Sequence, residues 1–206
     1  MSQPFNPQAL NPQALALSSD KILLTPLTRE HAEAFHQAAK DNVVWTWTIA
    51  SNPCKTLQGT QQWIETALAE HEAGRQLPFV IIDKASGKLV GSTRYLSINH
   101  ANFGIEIGHT FISPAFQRTY VNSHAKYCLL NHAFEQLGAI RVELKTHERN
   151  EKSRNAIARI GASFEGIARN NRILPDGTIR NTAIFAMTRE DWPQAKQQLL
   201  TYIDRN

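Results

Sequence analysis

The segment Gln117-Arg118-Thr119-Tyr120-Val121-Asn122-Ser123 is where residue types and spacing first point to chemistry in this sequence. It follows an alternating run, Phe103–Ile112, that predicts a strand, and it leads into a helix predicted to open at Ser123. A strand emptying into the amino end of a helix gathers unpaired backbone N–H groups and the positive end of the helix dipole at one point, which makes an anion site. Arg118 can add a full charge there. Asn150 is expected to cap another helix, with Lys152, Ser153 and Arg154 in its first turn. Upstream of both, Glu106 alternates away from Ile105, Ile107 and Phe111 and is expected on the opposite side of its strand, as a candidate general base. The alternative for Glu106 is a carboxylate paired with an arginine of a neighbouring strand, such as Arg94. The phosphate patterns G-x-x-x-x-G-K-[ST] and G-x-G-x-x-G are absent, as are H-E-x-x-H and G-x-S-x-G.

These residues need a scaffold, and the hydrophobic periodicity supplies one. Lys21–Leu27 reads as a strand, and Thr28 caps a helix to about Lys40 on which Ala32, Phe35 and Ala39 recur. A loop from Asp41 to Lys55 holds Trp45 and Trp47, and a second helix runs from about Thr56 to Ala73, stopping at Gly74. Strands Pro78–Asp83 and Lys88–Ser97 form a hairpin around Lys84–Gly87. The helix after Ser123 carries Tyr127, Leu130, Phe134 and Leu137 on one stripe and ends at Gly138. Arg141–Thr146 alternates as a strand, and the helix capped by Asn150 closes at Gly161. A last hairpin, Ser163–Ile173 and Thr178–Met187, precedes a final helix from about Thr188. This order of helices, antiparallel hairpins and one strand–helix–strand crossover predicts an α/β, mixed α+β sheet and argues against a doubly wound fold. Residues 21–206 are expected to form one domain. Residues 1–20, in which Asn-Pro-Gln-Ala-Leu occurs twice at 6–10 and 11–15, read as a flexible or loosely docked extension.

Composition narrows the class. With 206 residues, 42% hydrophobic and 19% charged, the chain is of ordinary globular character. Its net charge of +4 suits an anionic ligand, but without a dense Lys/Arg block nucleic acid is not an expected partner. Cys54 and Cys128 match no zinc or redox spacing, so no metal is expected, and two free thiols suit a reducing, cytoplasmic compartment. No apolar run approaches a membrane span, and the N-terminus lacks a signal-peptide pattern. His109 is expected to be a core histidine on the apolar face of its strand.

Several motifs, taken in order, resemble one family. These are Leu24-Thr-Pro-Leu-Thr-Arg-Glu-His31, Leu89-Val-Gly-Ser-Thr-Arg94, Glu106-Ile-Gly-His109, Gln117–Ser123, Arg141–Thr146, Asn150-Glu-Lys-Ser-Arg154 and Ile160-Gly-Ala162. Their order and spacing over about residues 22–192 are similar to those of the GNAT acyl-CoA N-acetyltransferases, and more narrowly to the RimJ/RimL-type branch. The resemblance implies a twisted, mostly antiparallel sheet with flanking helices. It also implies acetyl-CoA as co-substrate and a direct acetyl transfer to a primary amine in a ternary complex. The backbone of Gln117, Arg118, Thr119, Tyr120, Val121, Asn122 and Ser123 would then hold the pyrophosphate of coenzyme A, although Tyr120 and Asn122 stand where that family usually has glycine or alanine. Main-chain groups near Phe111 and Ile112 would bind the pantetheine arm, Asn150 and Arg154 would contact the coenzyme, and Trp45 and Trp47 would shape the acceptor pocket. Glu106, or water, would take the amine's proton. Ile157 occupies the position of a tyrosine that many relatives use as acid, so the resemblance passes proton return to the departing thiolate to Ser153 or to solvent. A protein N-terminus and a small-molecule amine both stand open as acceptor, as do monomer and homodimer. The alternative function is a non-catalytic CoA-binding protein of the same fold.

Overall fold

The computed structural model describes residues 5–11 and 15–204. Eight strands form one sheet: β1 (Leu17–Ser18), β2 (Ile22–Pro26), β3 (Gln76–Asp83), β4 (Leu89–Asn99), β5 (Gly104–Ile112), β6 (Arg141–His147), β7 (Ser163–Ile173) and β8 (Ile179–Thr188). Their order in the sheet is β1-β2-β3-β4-β5-β6-β8-β7. Every neighbouring pair is antiparallel except β5 and β6. Parallel neighbours need a crossover, and here it is α3 (Val121–Asn131), extended by a π-turn, His132–Gln136. Helices α1 (Ala32–Ala39), α2 (Leu57–Glu72), α4 (Glu151–Arg159) and α5 (Trp192–Ile203) complete the chain. The expected mixed α/β architecture is the one observed, with α3 opening two residues before Ser123.

The two faces of the sheet are covered by different helices because the strands alternate. Phe79 and Ile81 of β3 join one core with Val121, Ala125 and Leu129 of α3 and Leu199 of α5, whereas Val80 joins a second with Phe35, Ala39, Ile64 and Ala67 of α1 and α2. Local signals end the elements as the sequence predicts. The Thr56 hydroxyl accepts from the Gly59 N–H at 3.0 Å to start α2, and the Asn150 side-chain oxygen accepts from the Ser153 N–H at 3.1 Å to start α4. Gly161 ends α4 with φ +93°, and a Cβ there would lie 2.8 Å from Ala195 Cβ of α5, so both conformation and space require glycine.

Over its described residues, the N-terminal extension places its apolar side chains against the core. Phe5 stacks on Phe103 at 5.6 Å, Leu15 and Leu17 are buried, the Asn6 N–H donates to the Leu137 carbonyl, and β1 pairs with β2. Part of the second Asn-Pro-Gln-Ala-Leu copy, residues 12–14, lies outside the described residues. One expectation is corrected, the alternation of β5. Ser92 pairs with Phe111 but Arg94 pairs with Gly108, so Thr93 alone spans His109 and Thr110. This is a β-bulge, with His109 at φ +47°. The extra residue resets the alternation: Ile105 and Ile107 join the α3 core, while Phe111 crosses to the α1/α2 core. Phe111 is therefore on the Glu106 side of the strand, and His109 has its accessible surface in a cavity enclosed by the protein and is not packed as a core histidine.

Candidate active site

The parallel pairing of β5 and β6 covers only Gly104–Glu106 against Arg141–Glu143. Beyond that point β6 continues to pair with β8 and β5 with β4, so the two strands part and leave facing backbone groups free. A cavity of about 1140 Å³ opens at this parting, lined on both sides of the sheet by residues from β4, β5, β6, β8, α4 and the loop between α1 and α2.

The loop Gln117–Ser123 closes one end. Arg118 takes a left-handed conformation, φ +64°, which turns the chain into α3. Among the described residues, the N–H groups of Arg118, Thr119, Tyr120, Asn122 and Ser123 have no protein acceptor, so five donors stand available at one helix start. Gln117, Arg118, Thr119 and Asn122 line the cavity. Gln117 is anchored by its own amide donating to the Ile112 carbonyl at 3.0 Å, and Lys152 of α4 donates to its side-chain oxygen. Tyr120, Val121 and Ser123 point elsewhere. Val121 and Ser123 are buried, and the Tyr120 hydroxyl donates to Asp83 Oδ1 at 2.6 Å; hydrogen bonds from Ser86 and Tyr120 hold that carboxyl below the usual range. Only main-chain atoms of these three can serve a ligand. Tyr120 has φ −62° and needs no glycine, because the left-handed turn falls at Arg118 instead.

Glu106 sits where the strands part. Its Oε2 accepts from Lys145 Nζ at 2.9 Å and Ser97 Oγ at 3.3 Å, while Oε1 has no donor among the described residues. The carboxylate's ion-pair partner is thus Lys145, which also binds Glu143 at 2.7 Å, and not Arg94. Gly108 keeps the space above Glu106 open, since a Cβ there would lie 3.2 Å from Oε1 and 2.8 Å from Leu96 Cδ1. Phe111, Ile112, Asn150, Ser153 and Ile157 all line the cavity, and the Ser153 hydroxyl has no protein partner among the described residues. Arg154 does not line it: its guanidinium donates to the Glu148 carbonyl at 3.0 Å and stacks over Phe164 at 5.3 Å. Trp45 and Trp47 both line the cavity but differ in character. Trp45 is buried, its indole donating to the Ala39 carbonyl at 2.6 Å, whereas Trp47 is 38% exposed beside His147.

Some cavity residues carry no signal in the sequence. Lys126 of α3 is buried, donates to Thr110 Oγ1 at 2.8 Å, and is pushed down by burial to about 7. Its helical position, one residue before Tyr127, gives no sign that the bulge at Thr110 receives it. Arg94 and Arg180 are also buried at the cavity. Their neighbour His109 stacks on Trp63 at 5.9 Å and is held down to about 4, chiefly by desolvation and then by Arg94, Arg172 and Arg180. Burial pushes the thiols of Cys54 and Cys128 up to about 11, so neither is a ready nucleophile. No three metal-ligating side chains converge among the described residues, and no helix among them is long and apolar enough to cross a membrane.

A family model described as an acetyltransferase (GNAT) domain matches residues 21–163. The chain is similar in structure to a GCN5-related N-acetyltransferase from Brucella melitensis, at 28% identity over 98% of this chain and 88% of that one, with a TM-score of 0.87. A protein of T. thermophilus described as an acetyltransferase is 29% identical over 91% of this chain and 96% of that one, with a TM-score of 0.82. RimJ of Mycobacterium smegmatis, solved in complex with CoA-disulfide, is 23% identical over 88% of each chain, with a TM-score of 0.75, a likeness of fold. No curated protein sequence matches.

Proposed function

The chain belongs to the GNAT acetyltransferase family and is an acetyl-CoA-dependent N-acetyltransferase, and from that premise we propose which of its residues bind coenzyme A and perform the transfer. The observation that carries this assignment is the parting of β5 from β6 beside a loop of five unpartnered N–H donors. Those donors and the dipole of α3 suit a pyrophosphate, and Lys152 and Arg118 flank them with positive charge. The free edge of β5 at Phe111 and Ile112 suits an extended amide-bearing arm, bound as an added strand. Coenzyme A brings the acetyl group as a thioester, already activated for attack.

The rest of the chemistry falls to this chain. Glu106, through its unoccupied Oε1, takes a proton from the attacking amine directly or through one water, while Lys145 and Ser97 fix its orientation. An N–H on the free edge of β5 faces the developing oxyanion. Ser153, held at the start of α4 with a free hydroxyl, returns a proton to the sulfur. Direct attack is favoured over an acyl-enzyme because both thiols stay protonated at neutral pH. The acceptor is a protein N-terminus, as the RimJ/RimL-type likeness suggests, or a small-molecule amine. Two buried free thiols support a cytoplasmic setting.

A thiol-release assay with acetyl-CoA and a panel of peptides and small amines tests the reading. Acceptor-dependent release is expected. Absence of CoA binding at millimolar ligand would overturn it, and tight CoA binding with no turnover by any acceptor would favour a non-catalytic CoA-binding protein.

A further inference from the structure

The acceptor side of the cavity contains charge that acetyl transfer does not use. Arg94 of β4 is 5% exposed and Arg180 of β8 is 6% exposed, yet neither forms an ion pair among the described residues. Arg94 lies over the Trp63 ring at 5.0 Å, donates once to Gln76 Oε1 at 3.1 Å, and leaves its Nε buried with no acceptor. Arg180 donates to Thr182 Oγ1 at 3.2 Å and to the Trp47 carbonyl at 3.3 Å. Arg172 is directly opposite Arg180 in the β7–β8 register. Like charges directly opposite on neighbouring strands repel, and a buried guanidinium without a counter-ion is costly.

The two carboxylates that line the cavity form their ion pairs with other residues. Glu70 is held by Arg75 at 2.6 Å and Glu106 by Lys145 at 2.9 Å. The arginines also stand apart from the Gln117–Ser123 loop: Arg94 packs with His109 against Trp63 of α2, and Arg180 packs against the loop bearing Trp47. A missing anion on this side therefore has to arrive with the acceptor.

We propose that Arg94, Arg172 and Arg180, which all line the cavity, make its acceptor side a positively charged subsite for an amine acceptor that carries an oxyanion, a carboxylate or a phosphate. The subsite rests on the acetyl-transfer reading of the cavity and narrows its acceptor to an anionic amine. It disfavours polyamines and other purely cationic acceptors, whose charge these arginines repel. Guanidinium groups satisfy a planar or tetrahedral oxyanion through paired N–H donors.

The test compares glycine, phosphoethanolamine and glycinamide as acceptors at saturating acetyl-CoA. One or both anionic amines should exceed glycinamide by about tenfold or more in kcat/KM, as charge-assisted hydrogen bonds imply. Which of the two prevails distinguishes carboxylate from phosphate. R94Q and R180Q should each erase most of that preference while CoA affinity holds. R172Q, at an exposed strand position, should reduce it if the buried variants fold poorly. Should none of the three amines be acetylated, the His109 ring resonance is titrated with CoA present, with and without N-acetylglycine or inorganic phosphate. Either anion should move the His109 pKa upward by neutralising the arginines around it. Glycinamide turned over as well as the anionic amines, or a His109 titration unmoved by both anions, overturns the subsite. Loss of CoA binding would instead overturn the reading on which it rests.

Discussion

Replacing Lys126 by methionine is expected to stabilise the protein at neutral pH and to remove a rise in stability with pH. The Lys126 ammonium is buried, with Thr110 Oγ1 at 2.8 Å as its hydrogen-bond partner, and burial lowers its pKa from 10.5 to about 7. Below about 7 the folded and the unfolded chain both hold the proton, and the folded state bears the full cost of a buried ammonium, on the order of 5 kcal/mol. Above about 7 the folded chain has released the proton while the unfolded chain keeps it, so the unfolded state binds more protons and stability rises by about 1.4 kcal/mol per pH unit. The window between about 7 and 9.0 isolates this effect. The lowered histidines, His31, His109, His124, His132 and His147, titrate below it, and the thiols, raised from 9.0 to about 11, act with the opposite sign above it. Urea unfolding of both proteins across that window measures the difference. Wild type should gain roughly 2–3 kcal/mol on the variant between its ends. Thr110 keeps its 2.8 Å bond to Thr93 in the variant, so no buried hydroxyl is orphaned. Parallel stability curves for the two proteins would refute the burial of a titrating lysine.

Glu106→Gln should lower kcat/KM for a peptide α-amine about tenfold to a hundredfold at pH 7.5, and the deficit should shrink as pH rises past the amine's own pKa near ~8, where no base is needed. A deficit that stays constant with pH would remove Glu106 from the base role. Ser153→Ala should cost about tenfold in kcat with little change in the KM for acetyl-CoA; an unchanged kcat would assign proton return to water. The double variant C54A/C128A should still turn over, and wild type mixed with acetyl-CoA alone should show no acetyl adduct on either thiol by intact mass, because burial holds both near 11. Tyr120→Phe should lose about 1–2 kcal/mol of stability with its bond to Asp83 while CoA affinity is retained, since the side chain faces away from the cavity.

The parts of this protein that local sequence determines were legible in it. The Lys84–Gly87 turn, the Asn150 cap and the Gly161 stop each depend on a few consecutive residues, and each is where the pattern implies. Glu106 and Ser153 could be located the same way, one by strand alternation and one by its distance from a cap. The β5 bulge was not legible. Alternation counts residues in steps of two, and one extra residue opposite Thr93 reverses every later assignment, which is why Phe111 and His109 fell on the wrong faces. Nothing in Gly-His-Thr marks that insertion, because what fixes it is the pairing with β4, many residues upstream.

The same limit governs charge. Arg94, Arg172 and Arg180 look like ordinary strand arginines when read singly, and Arg94 invited a local pairing with Glu106. The sheet order decides otherwise: Glu106 faces the Lys145 of its parallel neighbour, and Arg94 is left with Gln76 and the Trp63 ring. The site that takes a proton and the site left with unbalanced positive charge are thus products of one topological fact, the parallel pairing of β5 with β6. Exchanging Lys145 for methionine tests this coupling. With its ammonium gone, Glu106 should swing toward Arg180, and the preference for anionic over neutral amines should fall together with kcat. A fall in kcat with the preference intact would show the two sites to be electrostatically independent.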